Sequence, residues 1–301
     1  MNYEQLTTEK RNEETMNLDE MPISEILHIM NTQDAQVIQS VSKVLPIIEE
    51  VVDRIVDNFL NGGRLFYVGA GTSGRLGMLD ASECPPTFMT NPELIQTIMA
   101  GGQSAFFKAV ENAEDNLEDG IAKLKEKNIT KWDTVIGITA SGTTPFAIGA
   151  LQYAQSTGAF TVSLSSNLNS KISHYADKAI EVVVGPEILT GSTRLKAATS
   201  HKMILNMIST TSMIKMGKVY ENLMVDVHAS NKKLVERAKR IVMTATNCTY
   251  DVAEQILTET NFAVKPAIVM LKTKKPCAEV SDVLQQVNGH TRLAISKLNS
   301  R

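Results

Sequence analysis

The sequence predicts an α/β protein in which a parallel sheet is covered by helices on both faces and is followed by a small all-helical C-terminal unit. Between residues 61 and 227, short apolar runs typical of buried strands alternate with segments of helical periodicity, which indicates parallel βαβ units. After an irregular start, only helical patterns occur over 1–60 and 228–301. We therefore expect an N-terminal helical segment (1–60) packed on a sheet domain (61–227), and a helical C-terminal domain (228–301).

Two helical stretches are predicted before the sheet. The first opens near Met21, with Ser24 as its predicted cap. The second runs over about 34–60, where apolar residues recur every three or four positions. Gly62 and Gly63 follow it, and glycine is the residue most typical of a helix end.

Five strands are predicted in the sheet domain. They are short apolar runs at residues 64–68, 94–99, 133–138, 160–164 and 178–183. Helices are expected to follow the first three strands, and a longer helix is expected over about 192–215. Proline and glycine break the helical patterns beyond residue 227, which favours about three to five helices there.

Composition and charge exclude several classes of protein. The formal net charge is −3, which argues against a nucleic-acid binder that depends on bulk positive charge. No apolar run reaches 18 residues, so we expect no membrane-spanning helix, and the polar N-terminus does not resemble a signal peptide. The three cysteines form no CxxC pair and the five histidines form no HExxH motif. We expect a reduced, cytoplasmic protein without a metal site.

The loop after the first strand is typical of a phosphate site. Residues 69–74 spell GxGxxG between a strand and a helix, a pattern that dinucleotide-binding domains share. Such domains also need an acidic residue at the end of the second strand, whereas Glu93 precedes that strand. Thr72 and Ser73 add two hydroxyls, which suit a terminal phosphate with several acceptor oxygens. No Walker-type lysine follows, so an NTPase loop is disfavoured.

The loop after the third strand has the same design. Ser141, Thr143 and Thr144 surround Gly142 just before a helix that Pro145 introduces. A capped helix with ordinary turn chemistry would explain either loop by itself. Two such loops favour a phosphate ligand, because the carboxyl ends of parallel strands meet in the crevice where open α/β sheets bind ligands.

These loops resemble those of sugar isomerase (SIS) domains, which bind phosphosugars. Five further segments resemble the N-acetylmuramic acid 6-phosphate etherase family: TEKRN at 8–12, DASECPPT at 80–87, AVENAED at 109–115, GPEILTGSTRLK at 185–196 and LNMIST at 205–210. The resemblance covers nearly the whole chain. It implies a flavodoxin-like α/β/α sandwich of the SIS type. Glucokinase regulatory proteins share the architecture but carry two SIS units, for which this chain is too short.

The resemblance implies that Glu83 and Glu114 are the catalytic residues. Glu83 precedes Pro85 and Pro86, which we expect to end the helix there. Glu114 lies among three other acidic residues within 111–118. Crowding of carboxylates can favour acid–base catalysis, but the same pattern is also typical of a solvated acidic face.

Four more residues are candidates for substrate binding. Glu187 follows a Gly-Pro pair at the end of the last strand, and Ser192, Arg194 and Lys196 open the next helix. Hydroxyls and positive charges at a helix start could bind substrate anions, including a lactyl carboxylate. The alternative is a helix cap with surface basic residues. His201 is expected to lie on a helix face or at a dimer contact.

The function that the resemblance implies is cleavage of the D-lactyl ether of N-acetylmuramic acid 6-phosphate. The products would be N-acetylglucosamine 6-phosphate and D-lactate, formed by elimination and then hydration during cell-wall amino sugar recycling. Two carboxyl groups suffice for this chemistry, with Glu83 as the acid and Glu114 as the base, so neither a metal nor a nicotinamide cofactor is needed. The exact division of roles stays open.

Two alternative functions remain at this point. A phosphosugar aldose–ketose isomerase would remove the same C2 proton without losing a C3 substituent, and a sensing regulator would bind the sugar without turnover. The resemblance and the apolar N-terminal helix favour a homodimer, with segment 8–12 reaching the partner's active site.

Overall fold

The computed structural model describes residues 6–108, 110–227 and 231–300. These residues form two compact units. The first unit comprises the described residues of Met1–Ala81 and Glu93–Ile208. The second comprises the described residues of Ser82–Pro92 and Ser209–Arg301. Compactness therefore divides the chain at Ile208, whereas the sequence pattern changes near residue 227. The expected C-terminal domain (228–301) includes positions 228–230 and 301, which lie outside the described residues.

The first unit contains a five-stranded parallel sheet. Its strands are β1 (Leu65–Gly69), β2 (Ile95–Met99), β3 (Thr134–Ile138), β4 (Phe160–Ser165) and β5 (Lys178–Glu181), in the spatial order β2-β1-β3-β4-β5. The residues of β1 and β3 are all buried, as is typical of a parallel strand covered on both faces. The predicted fold class and its five strands are confirmed.

Seven helices begin in the first unit. They are α1 (Ile23–Lys43), α2 (Leu45–Leu60), α3 (Gly71–Phe88), α4 (Ser104–Phe107), α5 (Leu117–Lys125), α6 (Pro145–Ser156) and α7 (Lys196–Lys215). The cap predicted for the first N-terminal helix and the start predicted for the second were wrong. Pro22, not Ser24, occupies the cap position of α1. Pro46 lies in the first turn of α2 and has no N–H to continue the ladder of α1, so the chain breaks at Val44.

The helix that carries Glu83 does not end where the sequence predicts. Pro85 and Pro86 lie inside α3, which continues to Phe88. The N–H of Met89 donates to the carbonyl oxygen of Pro85 over 2.9 Å, so the ladder resumes beyond the prolines. Glu83 therefore lies on a helix and not in a turn.

A close contact between α5 and α6 fixes the segment around Glu114. A Cβ atom on Gly120 of α5 would lie 2.0 Å from the carbonyl oxygen of Phe146 in α6, so only glycine permits this approach. Ala113 packs on the same apolar cluster, which includes Phe146 and Leu151. The turn just before α5 is thereby held against the start of α6.

The second unit is helical, as predicted. Its helices are α8 (Lys232–Thr246), α9 (Tyr250–Glu259), α10 (Val264–Thr273), α11 (Cys277–Gln286) and α12 (Thr291–Asn299). A short antiparallel hairpin of β6 (Val219–Tyr220) and β7 (Leu223–Met224) precedes them and was not predicted. In the part of the chain that the structure describes, no helix is long and apolar enough to cross a membrane.

Candidate active site

A cavity of about 450 Å³ lies at the carboxyl ends of β1 and β3 in the first unit. β1 is the strand at which the sheet order reverses, since β2 lies on one side of it and β3 on the other. Ligands of open α/β sheets bind at such a switch point. Both predicted phosphate loops line this cavity, through Thr72, Ser73, Ser141, Thr143 and Thr144.

The β1 loop presents the start of α3 to the cavity. Gly71 has φ +53° and begins the helix, and Thr72 and Ser73 follow in its first turn. A Cβ atom on Gly74 would lie 2.8 Å from the carbonyl oxygen of Gly69, so the third glycine of the motif permits close packing of helix on strand. The first N–H groups of a helix have no intrahelical partners and suit an anion.

The β3 loop is held by hydroxyl contacts within the loop. The Thr139 Oγ1 lies 2.7 Å from the Thr144 Oγ1 and 3.3 Å from the Ser141 Oγ, which in turn lies 2.9 Å from the Thr143 Oγ1. Gly142 has φ +76°, and a Cβ there would collide with Ser170 at 2.2 Å. The loop therefore presents a fixed set of hydroxyls, each half-buried or buried, before the first turn of α6.

Glu114 lines the same cavity as these loops. It lies in a single helical turn, Ala113–Asp115, that follows Asn112 with φ 61°. Its side chain is exposed, and it also borders an adjoining cavity of about 240 Å³ lined by Arg75, Met99 and Val110. Of the two predicted catalytic carboxylates, Glu114 is the one that the structure brings together with the loops.

Glu83 lies elsewhere. It is exposed, belongs to the second compact unit and is not among the residues that line the cavity.

Two of the predicted binding residues are buried beneath the site. The Glu187 carboxylate accepts hydrogen bonds from the backbone N–H groups of Lys196 and Ala197, both over 2.9 Å, and so caps α7. Burial raises the pKa of Glu187 and lowers that of Lys196. The Lys196 Nζ donates to the Gln33 Oε1 over 2.8 Å. Neither Glu187 nor Lys196 lines the cavity.

The residues at the start of α7 are offset from the predicted ones. Gly191 and Thr193 line the cavity, whereas Ser192 and Arg194 do not. Ser192 is half-buried and Arg194 is exposed. The predicted loop therefore borders the cavity, but through residues other than the predicted ones.

Several cavity residues were not assigned to the site from sequence, among them Lys171, Glu9 and His201. Lys171 follows β4 and supplies a cation, and Glu9 enters from the N-terminal segment. Segment 8–12 was predicted to reach a partner's active site, but its Glu9 lines the cavity of its own chain. His201 lies on α7. Its Nε2 lies 3.1 Å from the Ser166 Oγ, and burial lowers its pKa to about 4, so it is neutral at pH 7.

The capping role of Glu187 gives a stability prediction. Glu187→Ala leaves two buried backbone N–H groups without their acceptor and removes a nearby negative charge that favours the Lys196 ammonium, so we expect the free energy of unfolding to fall by about 3–5 kcal/mol. Urea denaturation measures this change. Glu20→Ala, at an exposed position, is the matched control with little expected effect. A loss below 1 kcal/mol in Glu187→Ala would contradict the structural role.

Comparisons with known proteins identify the fold and the family. The SIS domain model matches residues 114–210, and the glucokinase regulatory protein N-terminal SIS domain model matches residues 47–155. A phosphoheptose isomerase from Francisella tularensis shares the fold, with a TM-score of 0.52 and 18% identity over 64% of this chain and 100% of that chain.

Close relatives span the whole chain. The N-acetylmuramic acid 6-phosphate etherase 2 of Lactiplantibacillus plantarum is 54% identical over 98% of this chain and 100% of that protein. The N-acetylmuramic acid 6-phosphate etherase of Bacillus subtilis is 52% identical over 98% of this chain and 97% of that protein. With more than half of the residues identical over nearly the full length of both chains, this chain belongs to the N-acetylmuramic acid 6-phosphate etherase family.

Proposed function

We propose that this protein cleaves the D-lactyl ether of N-acetylmuramic acid 6-phosphate and releases N-acetylglucosamine 6-phosphate and D-lactate. The observation that carries the proposal is that the Glu114 carboxylate shares one cavity with two hydroxyl-rich loops, in a member of this family. A phosphate site beside a carboxylate suits a phosphosugar that loses a proton.

The phosphate is held by the loops after β1 and β3. Each loop offers hydroxyls and the N-terminus of a helix of 12 residues or more, which favours an anion with several acceptor oxygens. Lys171 adds a positive charge at the cavity wall. These contacts are remote from the bond that breaks, so they contribute positioning energy and not chemistry.

The reaction follows from acid–base chemistry on the ring-opened sugar. The aldehyde at C1 makes the C2 proton acidic, and a carboxylate removes it. The C3–oxygen bond breaks, lactate leaves with a proton on that oxygen, and an unsaturated aldehyde remains. Water then adds at C3 while C2 regains a proton. The acid that protonates lactate is Glu83 by the resemblance, and Glu114 is its partner as base on C2 or on water.

The position of Glu114 between two cavities supports this assignment. The phosphate loops line the larger cavity, and the smaller cavity has room for a short substituent beside the Glu114 carboxylate. Met99, Ala105 and Val110 give the smaller cavity an apolar wall, and Arg75 gives it a guanidinium. A lactyl group, with its methyl and its carboxylate, matches that lining.

A homodimer and a cytoplasmic location are part of the proposal. Ile23, Leu27 and Ile38 are between 61% and 77% exposed and are spaced to share one face of α1. An exposed apolar stripe of this kind supports pairing with a second copy.

Lactate release tests the function. Incubation with N-acetylmuramic acid 6-phosphate is expected to yield D-lactate and N-acetylglucosamine 6-phosphate in equal amounts, as measured by enzymatic lactate assay and mass spectrometry. Fructose 6-phosphate and N-acetylglucosamine 6-phosphate serve as control substrates. Isomerisation of the controls without lactate release would favour the isomerase, and binding without turnover would favour a regulator.

A further inference from the structure

The N-terminal segment Leu6–Thr15 forms a strap along the cavity. Leu6, Thr8, Asn12 and Thr15 are buried, whereas Glu9 between them is exposed and lines the cavity. Three of the four buried residues are polar. Burial of polar side chains is costly unless they are hydrogen-bonded, so the strap needs specific partners to stay in place.

Asn167 attaches one end of the strap to the phosphate loop. Its Oδ1 accepts a 2.7 Å hydrogen bond from the Thr7 N–H, and its Nδ2 lies 3.2 Å from the Thr8 Oγ1. The same Nδ2 lies 3.1 Å from the carbonyl oxygen of Ala140 and 3.2 Å from that of Ser141. One buried amide therefore holds the residues just before Glu9 at a fixed distance from the β3 loop.

The other end of the strap is attached to α1 and to the loop before α7. The Asn12 Nδ2 donates to the Gln33 Oε1 over 3.2 Å, and this oxygen also accepts from the Lys196 Nζ. The Thr15 Oγ1 donates to the carbonyl oxygen of Ile188 over 2.9 Å. Glu9 therefore lies on a short span that is fixed on both sides.

The Glu9 carboxylate lies beside Gly191 at the cavity wall. A Cβ on Gly191 would be only 3.7 Å from the Glu9 Oε2. Its closest hydrogen-bond donor among the described residues is the Thr8 Oγ1, at a long 3.5 Å from the Oε1. No lysine or arginine in the described ranges lies within 4.0 Å of this carboxylate. An ionised carboxylate accepts about four hydrogen bonds, so most of this capacity faces the cavity.

We infer that Glu9 contacts the substrate and recognises the neutral donors of the sugar, its hydroxyl groups or its acetamido N–H. A carboxylate repels the phosphate and the lactyl carboxylate, so those two groups are not its targets. The inference rests on the proposed function for the identity of the sugar. Glu9 is then a specificity-determining residue that recognises a part of the substrate other than the phosphate bound by the two loops.

Calorimetry with two ligands tests the role of Glu9 without turnover. The ligands are N-acetylglucosamine 6-phosphate, which has both a phosphate and neutral donors, and inorganic phosphate, which has only the anion. Glu9→Ala is expected to weaken binding of the sugar phosphate about tenfold or more, as for loss of a hydrogen bond to a charged group, and to leave binding of inorganic phosphate no weaker. Glu9→Gln keeps one acceptor oxygen without the charge, so its affinity for the sugar phosphate is expected to lie between those of the wild type and Glu9→Ala.

The control is Glu13→Ala, because Glu13 is exposed on the same strap but does not line the cavity. It is expected to bind both ligands like the wild type. Sugar-phosphate binding unchanged in Glu9→Ala would overturn the inference. Equal loss of both ligands, together with a lowered Tm, would also overturn it, because the strap would then be merely structural.

The outcomes separate this inference from the proposed function. If the wild type releases no lactate but binds the sugar phosphate in a Glu9-dependent way, the function fails and the inference stands. If lactate is released equally well by the wild type and by Glu9→Ala, and both proteins bind the sugar phosphate with equal affinity, the inference fails and the function stands.

Discussion

Glu114→Gln is expected to lower kcat for lactate release at least about 100-fold, the lower bound for loss of a general base. Glutamine keeps the shape of the side chain but cannot accept the C2 proton. Because Glu114 is exposed in a turn before α5, the substitution removes no buried contact and the protein is expected to fold normally. The kcat is measured with saturating substrate, and the Tm reports on folding.

Glu118→Gln is the matched control for this variant. Glu118 lies in the same acidic segment and is exposed, but it lines neither cavity. Its kcat is expected to match the wild type. A similar kcat in Glu114→Gln and Glu118→Gln would mean that Glu114 is one charge of a solvated acidic face.

The proposed acid gives the companion experiment. Glu83→Gln is expected to lower kcat by a similar factor, because a glutamine side chain cannot protonate the departing lactate. In heavy-oxygen water the label is expected at C3 of the sugar, and in deuterated water deuterium is expected at C2. Heavy oxygen on lactate would instead indicate displacement at the lactyl carbon. If Glu83→Gln keeps a normal kcat while Glu114→Gln does not, Glu83 is not the acid that protonates lactate.

Removal of the 6-phosphate from the substrate is expected to lower kcat/KM at least about 1000-fold. Each charge-assisted hydrogen bond contributes about 1.5–3 kcal/mol, and the loss of two or three of them reaches that factor. The comparison uses N-acetylmuramic acid and its 6-phosphate with the same wild-type protein. Equal turnover of the two sugars would contradict a phosphate site at the β1 and β3 loops.

Single hydroxyl deletions locate that site. Ser73→Ala and Thr143→Ala are each expected to raise KM about tenfold with little change in kcat, because phosphate contacts persist from the ground state to the transition state. Ser156→Ala, at the exposed end of α6, is the control. A fall in kcat at unchanged KM in Ser73→Ala would place that hydroxyl at the reacting carbons instead.

The sequence by itself determined the sheet and the order of elements along the chain, and it predicted that two hydroxyl-rich loops meet at one edge of the sheet. Buried strands such as β1 and β3 appear in the sequence as short apolar runs. A hydroxyl-rich loop before a helix is likewise recognisable from the local sequence. Because parallel strands align their carboxyl ends, those two local signals were enough to predict a common site. The resemblance singled out Glu114, and this residue lines the cavity, whereas its catalytic role stays a prediction.

Only the tertiary structure decided which polar residues line the cavity. Glu187 and Lys196 are adjacent to the site in sequence, yet both are turned into a buried network with Gln33. Glu9 faces the cavity because Asn167, 160 positions from Thr7 along the chain, holds the strap in place. The local sequence pattern shows which residues are apolar and at what spacing the apolar residues recur. The partner that satisfies a buried polar group comes from a distant part of the chain, and that pairing decides whether a neighbouring side chain caps a helix or meets a substrate.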